Sequence, residues 1–323
     1  MRIVTLKEIQ SMVSLSAATV AVRDAFIDYS QGLIEQPDPM QILFKDELGR
    51  LTGDCHVKSA QKKRHAYFVI KVASGFYNNA AAGLPVNNGL VLVMSSDNGQ
   101  AVALLQDEGW LTQVRTAAAG ALAASLRDVK KTDCLGVIGT GIQAYLQVKM
   151  ITEKLSLKRV AVLGRSLEKS AAFCRKLNEE LDVIAVPMDS ARSVCHASQV
   201  VITVTPSERA LIRAEDLPES LHIVAIGADS PGKLEIDPSV FHAAKIVVTD
   251  DHDQCLHHGD FGAAVRAKAI KEDADYAMGK VLSGQYSELD FNGTGISIVD
   301  LTGLGAQDLA VASLLVDQFS TSL

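Results

Sequence analysis

One short segment constrains the fold of this chain more than any other. Residues 134–144 read Cys-Leu-Gly-Val-Ile-Gly-Thr-Gly-Ile-Gln-Ala, an apolar strand followed by Gly139-x-Gly141-x-x-Ala144 and a helix start. Gly139 permits a tight turn, Gly141 lets backbone approach a phosphate, and Ala144 lets helix and strand pack closely. Free N–H groups at the helix start favour an anion. The segment predicts a βα turn that binds a dinucleotide; a glycine-rich turn without a ligand is the alternative.

The sequence after about residue 130 alternates short apolar strands with helical segments. Such alternation predicts an α/β fold with a Rossmann-type, doubly wound parallel sheet. The apolar runs lack clear alternation, as expected where helices cover both faces of the sheet. The predicted strands are 134–139, 159–163, 183–187, 200–205, 222–227, 245–249 and 297–301.

The first part of the chain predicts an α+β domain with a mostly antiparallel sheet. Its strands are expected at 41–44, 53–57, 67–73, 90–94 and 101–106, after a helix at 16–32. Asp97-Asn98-Gly99 indicates a tight turn between the last two strands. Further helices are predicted at 110–126 and 307–316. We therefore predict two domains, an α+β domain over 1–118 with 304–323 and a dinucleotide-binding domain over 119–303.

Composition excludes several classes of function. The net charge of −7 argues against nucleic acid as a partner, because such proteins present a basic surface. Five scattered cysteines without a CxxC pair favour free thiols in a reducing compartment. We see neither a signal peptide nor a membrane span, and expect a cytoplasmic protein. The Asp- and His-rich run at 250–258 has no spacing that fixes a metal site, and we predict no metal.

The end of the second Rossmann strand bears on cofactor choice. NAD sites commonly have an acidic residue there that holds the ribose 2′-hydroxyl. This chain has Gly164 at that position, followed by Arg165. Because arginine pairs well with phosphate, we predict a preference for NADP(H), with NAD(H) possible. A preference for NAD(H) is the alternative, because Glu168 lies nearby and Arg165 could be only a solvated surface charge.

Five motifs in the same order resemble those of the ornithine cyclodeaminase/μ-crystallin family. In chain order they are Thr112-x-x-Arg115-Thr116-Ala-Ala, the turn at 139–144, GADSPGKLE at 227–235, Asp250…Gln254…Gly259-Asp260, and DLTGLGAQD at 300–308. The resemblance implies that the domain over 1–118 with 304–323 is the substrate-binding and dimerisation domain of a homodimer. It also implies a nicotinamide-dependent reaction on a small imino or amino acid. It does not by itself select the reaction, because the family includes several activities.

Among those activities, we expect hydride transfer between nicotinamide and the substrate Cα. The best single prediction is reduction of Δ1-pyrroline-2-carboxylate, since residues 71–79 and the Arg165 region resemble the reductase and dehydrogenase branch. One alternative is a cyclodeaminase that eliminates ammonia using bound NAD+. Another is a ligand-binding protein without enzymatic activity, like μ-crystallin.

Five residues are predicted to act on the substrate. Lys71 in an apolar strand is costly to bury unpaired, and the resemblance makes it a carboxylate ligand and proton-transfer candidate; an edge-strand lysine in solvent is the alternative. Arg115 offers a fork to a carboxylate, or forms an ion pair within the chain. Asp229 is the expected general acid/base, or an ordinary turn residue. His56 shares one strand side with Lys58 and lines the pocket or faces solvent.

Gln41 marks a departure from the family pattern. Many members have an arginine after a proline in this early strand, and the resemblance gives that arginine a role in binding the substrate carboxylate. We place Gln41 in the substrate site, with one cation fewer. The residues predicted to contact the cofactor are Thr112, Gly139, Thr140, Gly141, Ile142, Gln143, Arg165, Ser166, Thr205, Gly227, Asp229, Thr302 and Gly303.

Overall fold

The computed structural model describes residues 1–128 and 132–320. Its contacts divide the chain into two compact units, Met1–Arg115 with Leu304–Leu323 (unit 1) and Thr116–Gly303 (unit 2). The division falls inside one helix, α3 (Trp110–Ala124). The domain ranges predicted from sequence also include 129–131 and 321–323, which lie outside the described residues.

Unit 1 is an α+β unit around one sheet. Its last helix comes from the far end of the sequence and packs on α2 and on strands β4 and β5. The elements are β1 (Arg2–Thr5), α1 (Leu6–Met12), α2 (Leu15–Ser30), β2 (Ile34–Glu35), β3 (Met40–Lys45), β4 (Leu51–Lys62), β5 (Tyr67–Phe76), β6 (Asn87–Ser95), β7 (Ala101–Gln106) and α11 (Gly305–Ser320).

The unit 1 sheet has the order β1-β7-β6-β5-β4-β2, with β3 also paired to β4. Every pair is antiparallel except β1 with β7. This confirms the mostly antiparallel sheet. Gly99, with φ of 71°, donates its N–H to the Ser95 carbonyl in the turn between β6 and β7, as the Asp97-Asn98-Gly99 signal predicts.

The two faces of this sheet differ in burial. Side chains of the covered face are almost fully buried; they are Ala60, Val69, Val91, Val93, Ala103 and Leu105. Alternate residues point to the opposite, open face, where every apolar side chain is half-buried or exposed. The open face comprises Ile42, Phe44, Val57, Ile70, Val72, Leu90, Leu92 and Leu104.

Unit 2 alternates strands and helices, as predicted. Its strands and helices are β8 (Cys134–Ile138), α4 (Ile142–Leu155), β9 (Arg159–Leu163), α5 (Leu167–Glu180), β10 (Ile184–Pro187), α6 (Ala191–Ala197), β11 (Val200–Thr203), β12 (Ser220–Ala225), α7 (Pro238–Ala243), β13 (Ala244–Thr249), α8 (His252–His258), α9 (Asp260–Arg266), β14 (Asp275–Ala277), α10 (Met278–Leu282) and β15 (Gly295–Asp300).

The eight strands of unit 2 form one parallel sheet in the order β10-β9-β8-β11-β12-β15-β13-β14. From β8 the order runs outward to β9 and β10, and from β11 it runs the other way to β12, with β15 inserted between β12 and β13. This order confirms the doubly wound α/β fold. All five residues of β8 are buried, which explains why its sequence shows no alternation. The carboxyl ends of β9, β8, β11, β12 and β15 lie along one edge, where open α/β sheets bind ligands.

The structure adds short elements that the sequence prediction missed. They are β1, α1 and β2 at the start of unit 1 and β14 in unit 2. Strands of two to four residues contain too few positions to show a periodicity. The predicted strand 53–57 is also longer, since β4 continues to Lys62 and its end pairs with β2.

Candidate active site

The turn between β8 and α4 has the geometry that its glycines predict. Gly139 has φ of 131°, and a Cβ there would lie 3.0 Å from Val204, so glycine is required. Gly141 is the N-cap of α4, makes no side-chain cap bond and has open space around its Cα. Gly141 and Ile142 are exposed, so the start of α4 is open to solvent. Ala144 is fully buried in the same helical turn. This arrangement fits a pyrophosphate at the helix start.

The end of β9 lies against the same turn. A Cβ on Gly164 would approach the Thr140 methyl to 2.8 Å, which explains why a glycine replaces the usual acidic residue. Arg165 is exposed. The Ser166 hydroxyl caps α5 by accepting the Lys169 N–H. The Arg165 guanidinium is therefore the group at this strand end that is open to an anionic ligand.

A buried carboxylate, Glu235, connects the turns after β11 and β12. One oxygen accepts the Thr205 N–H at 2.6 Å and the Thr205 hydroxyl at 2.7 Å. The other accepts the Thr203 hydroxyl at 2.7 Å and the Gly227 N–H at 2.8 Å. Burial raises the pKa of Glu235, while these four donors oppose the rise. The predicted cofactor residues Thr205 and Gly227 are thus held by a residue to which the sequence analysis gave no role.

A second carboxylate holds the turn after β15. Asp250 accepts the N–H and hydroxyl of Thr302 at 3.1 and 3.0 Å, and the Gly303 N–H at 2.6 Å. The Gln254 amide donates to the Thr302 hydroxyl and to the Gly303 carbonyl. Asp250 and Gln254 belong to one of the motifs quoted above. Asp250 on the β13–α8 connection and Gln254 in α8 thus bind the same turn, which explains their spacing.

Two further buried acids lie behind these turns. One Asp260 oxygen accepts the Glu235 N–H, and one Asp300 oxygen accepts the Phe261 N–H, each at 2.8 Å. Burial and the nearby Glu235 raise the pKa of Asp260 to about 8. Burial and Asp260 raise the pKa of Asp300 well above its ordinary value. The second oxygen of each acid is buried without a hydrogen-bond partner among the described residues, which favours the protonated form.

Asp229 follows β12 at the same edge of the sheet. Its side chain is 44% exposed, and one oxygen accepts the Lys233 ammonium at 2.6 Å. Unlike the acids behind it, this carboxylate is accessible to a small molecule. Lys233, four residues later, fixes the orientation of the carboxylate.

In unit 1, Lys71, Arg115 and Asp308 form a buried charge cluster. Asp308, in the first turn of α11, accepts Arg115 Nε at 3.2 Å through one oxygen and lies 3.4 Å from Lys71 Nζ through the other. Gln307 accepts Arg115 Nη1 at 2.9 Å. The exposed fractions are 2% for Lys71, 6% for Arg115 and 1% for Asp308. Lys71 is therefore neither at a sheet edge nor in solvent, and Arg115 does form the intrachain ion pair considered above.

Both cations retain unused donors. Among the described residues, Lys71 Nζ has Asp308 as its one partner, and Arg115 Nη2 has none. Burial lowers the pKa of Lys71, with Arg115 adding to the effect and Asp308 and Asp107 opposing it. Burial disfavours the charged form of Asp107 as well, and therefore raises the pKa of this acid. Two buried cations that share one carboxylate have the capacity to bind an additional anion.

The remaining predicted substrate residues continue along the same sheet face. Lys58 lies directly opposite Lys71 in the β4–β5 register, and Gln41 lies opposite His56 in the β3–β4 register. Lys58 is 7% exposed, so this side of β4 is not a solvated face. The Asp54 carboxylate accepts the Tyr77 hydroxyl at 2.6 Å and lies 3.6 Å from His56 Nε2. Neither Asp54 nor Tyr77 was singled out from sequence.

Thr112 and Thr116 do not cap helix α3. The helix begins at Trp110, so both lie inside it. The Asp107 carboxylate accepts the Leu111 N–H instead, at 2.9 Å. Thr112 belongs to unit 1, whereas the other predicted cofactor residues belong to unit 2.

Two classes of site find no support in the described residues. Residues 1–128 and 132–320 contain no group of three or more His, Cys, Asp or Glu side chains placed to hold a metal ion. No helix in these ranges is long and apolar enough to span a bilayer. A parallel sheet with a glycine-rich turn after its central strand is instead typical of dinucleotide-binding oxidoreductases.

The full sequence identifies the family. It matches the model of the ornithine cyclodeaminase/mu-crystallin family over residues 1–322, and the chain belongs to this family. The family comprises NAD(P)-dependent imine reductases and cyclodeaminases.

Individual relatives are similar over most of their length. The chain is 32% identical to the alanine dehydrogenase of Archaeoglobus fulgidus over 98% of this chain and 94% of that protein. It is 30% identical to the iminosuccinate reductase of Paracoccus denitrificans over 76% of this chain and 75% of that protein. An archaeal alanine dehydrogenase dimer with bound NAD superposes with a TM-score of 0.87 at 29% identity, covering 100% of this chain and 97% of that one.

Proposed function

We propose that this protein is an NAD(P)-dependent oxidoreductase that interconverts a small α-imino acid and the corresponding α-amino acid. The observation that carries the proposal is the buried pair Lys71 and Arg115, which shares Asp308 and keeps donors for an anion. An α-carboxylate is the anion that every imino or amino acid substrate supplies. The uncovered start of α4 supplies the second requirement, a site for a dinucleotide pyrophosphate.

The two cations divide the binding of the carboxylate. Arg115 donates charge-assisted hydrogen bonds from its outer amino groups, while Asp308 and Gln307 hold the guanidinium plane. Lys71 adds a positive charge from β5. Fixing the carboxylate fixes the adjacent Cα, which lowers the entropic part of the barrier. Gln41 and His56 lie farther along the same sheet face, and we assign them to the substrate side chain.

A dinucleotide bound at the β8–α4 turn supplies or accepts the hydride. Gly139 to Gln143 would hold its pyrophosphate, Arg165 and Ser166 its adenosine ribose, and Thr205, Gly227, Thr302 and Gly303 the remainder. We assign Thr112 to the same cofactor from unit 1. Since the exposed Arg165 replaces the acidic strand end, we propose that NADP(H) binds at least as well as NAD(H).

Asp229 is the proposed acid/base for the substrate nitrogen. Its carboxylate is half-exposed at the ligand-binding edge of the sheet, and Lys233 orients it at 2.6 Å. A carboxylate in this position accepts the proton released when an amine becomes an imine, and returns it in the reverse direction. Lys71, more deeply buried, remains the second candidate for this transfer.

Among possible substrates we retain Δ1-pyrroline-2-carboxylate as the specific proposal. Two further imines must be compared with it as substrates. One is the imine of pyruvate, because a relative is named alanine dehydrogenase, and the other is iminosuccinate, because a relative is named iminosuccinate reductase. Ammonia release without net cofactor consumption would identify the cyclodeaminase alternative. Tight ligand binding without turnover would identify a binding protein.

The test is a screen of purified protein for oxidation of NADPH or NADH at 340 nm. The panel contains Δ1-pyrroline-2-carboxylate, pyruvate with ammonia, and oxaloacetate with ammonia. We expect turnover with at least one α-imino carboxylate, and its loss in Lys71→Met. Exposed Lys268→Met is the matched control. Absence of turnover with every member of the panel and with both cofactors would refute the proposal.

We also propose that two copies associate through the open face of the unit 1 sheet. That face has half-buried or exposed apolar side chains on five adjacent strands, although large exposed apolar patches are uncommon on monomers. A second identical face would bury them, and a related alanine dehydrogenase is a dimer. Leu92→Glu, central on this face, should convert a dimer to a monomer in light scattering. Leu48→Glu, 77% exposed outside the face, should not. A wild-type monomer at micromolar concentration would disprove the assembly.

A further inference from the structure

Asp308 has no ligand role in the proposed function, yet it is the centre of the unit 1 charge cluster. Its two oxygens contact two different cations, Arg115 Nε at 3.2 Å and Lys71 Nζ at 3.4 Å. The side chain is almost fully buried, so solvent does not screen either interaction. A carboxylate shared in this way affects both cations at once.

The fold places Asp308 there by a close approach of backbone. A Cβ on Gly305, the first residue of α11, would lie 2.6 Å from the Ser59 carbonyl on β4. The glycine therefore lets the start of the helix touch the sheet. Asp308 lies in the first turn, where the helix dipole favours a negative charge. Gln36 accepts the Ala306 N–H at 3.1 Å and fixes the same turn.

We propose that Asp308 is a positioning residue that keeps Lys71 charged and holds the Arg115 guanidinium in the orientation that receives a substrate carboxylate. The proposal rests on the proposed function, because it assigns Asp308 to the same carboxylate site. Asp308 does not itself bind the substrate, since like charges repel. Its effect is carried by the two cations.

The groups around Lys71 determine the direction of the effect. Burial and Arg115 disfavour its charge, whereas Asp308 and Asp107 favour it. The residues that face Lys71 on the neighbouring strands are Lys58 on β4 and the uncharged Val91 on β6. Removing the Asp308 charge therefore lowers the pKa of Lys71. If binding of a carboxylate requires charged Lys71, a variant without the Asp308 charge therefore loses its affinity at a lower pH than the wild type does.

The experiment measures binding of pyruvate, used as the simplest α-keto carboxylate, by calorimetry between pH 6.5 and 10 in the presence of saturating NADPH. In Asp308→Asn, we expect the pH at which affinity falls by half to decrease by at least one unit, or about a tenfold change in the Lys71 proton equilibrium. Affinity for NADPH should remain within about twofold of wild type. Asp308→Glu, which restores the charge, should move the midpoint back toward the wild-type pH.

Leu309→Ala is the matched control for a damaged helix. Leu309 is buried next to Asp308 but has no charge, so this variant should lower the melting temperature without moving the midpoint. A folded Asp308→Asn variant with the wild-type midpoint would overturn the role of Asp308. Pyruvate binding without turnover in the imine screen would refute the proposed reaction alone. A wild-type protein that binds no carboxylate would overturn both proposals.

Discussion

Glu235 accepts both the backbone N–H and the hydroxyl of Thr205, at 2.6 and 2.7 Å, through a single oxygen. Its other oxygen accepts a hydrogen bond from the Gly227 N–H. One carboxylate therefore holds the turns that follow the adjacent strands β11 and β12. These turns lie at the edge of the sheet that we assign to the cofactor. The affinity of that edge for a dinucleotide should therefore depend on a residue buried behind it.

Replacing Glu235 by glutamine tests this dependence. The amide nitrogen of Gln cannot accept hydrogen bonds, so two of the four donors lose their acceptor. Each buried unsatisfied group costs roughly 1–3 kcal/mol. We expect a lower free energy of unfolding by denaturant titration, together with weaker NADPH binding by fluorescence. The exposed Glu215→Gln is the control. Unchanged cofactor affinity would mean that the turns hold their shape without Glu235.

The buried pair Asp260 and Asp300 predicts an unusual dependence of stability on pH. Because the folded-state pKa of Asp260 is about 8, above its ordinary 3.8, folding favours the protonated acid. Its contribution to stability is complete at pH below the unfolded value and is lost as pH rises toward 8. Above pH 5 the carboxylates with lowered pKa, such as Asp46 and Asp237, are already ionised and add no slope.

Burial lowers the pKa of His222 to about 4, and this neutral imidazole adds stability with rising pH only up to its ordinary value of 6.5. Wild-type protein should therefore lose stability between about pH 6.5 and pH 8, and Asp260→Asn should lose less over the same range. Urea unfolding at closely spaced pH values measures both curves. Asp253→Asn, an exposed change on α8, should reproduce the wild-type slope. Parallel curves for wild type and Asp260→Asn would show that Asp260 is ionised in the folded protein.

Asp229→Asn separates proton transfer from binding. The amide keeps the size of the side chain but cannot take up a proton, so kcat should fall by roughly 10²–10⁴. NADPH affinity and melting temperature should change little, because the wild-type side chain is half-exposed. Steady-state kinetics on the best substrate of the screen measures the effect. Near-normal turnover would transfer the acid/base role to Lys71.

Arg165→Ala tests the choice of cofactor. An exposed guanidinium that pairs with the ribose 2′-phosphate contributes to NADPH binding and not to NADH binding. Its removal should weaken NADPH by roughly 10-fold or more, as expected for a charged hydrogen bond, and leave NADH nearly unchanged. Arg175→Ala is the control, because it removes the same charge from α5 at a position away from the turn, and it should leave the affinity for NADPH unchanged. A preference for NADH that survives in both variants would rule out the NADP assignment.

Local patterns were sufficient to predict most of the fold. The strands at 101–106 and 159–163 were predicted at the bounds found, because turn residues or a change of period delimit each apolar run. The parallel sheet followed from repeated βα units. β14 has three half-buried residues and pairs only with β13 at the end of the sheet, so its sequence shows neither an apolar run nor a clear alternation.

The candidate site was less predictable, because its contacts join distant positions. Lys71 and Arg115 attract notice as charges in apolar or alanine-rich surroundings. Asp308 and Glu235 were visible within motifs, yet their partners lie in other elements, and no spacing rule connects them. Asp54 and Tyr77 had no motif at all; their hydrogen bond depends on the β4–β5 register and on the chain beyond it.

The origin of α11 has a consequence for synthesis of the protein on the ribosome. Lys71 and Arg115 are translated early, whereas Asp308 follows only after all of unit 2 has been made. A nascent unit 1 would have to bury two cations without their shared carboxylate, which is unfavourable. Unit 2 is continuous in sequence and needs no later segment, and domains fold as they emerge. Unit 2 should therefore reach its native state during translation, while unit 1 waits for α11.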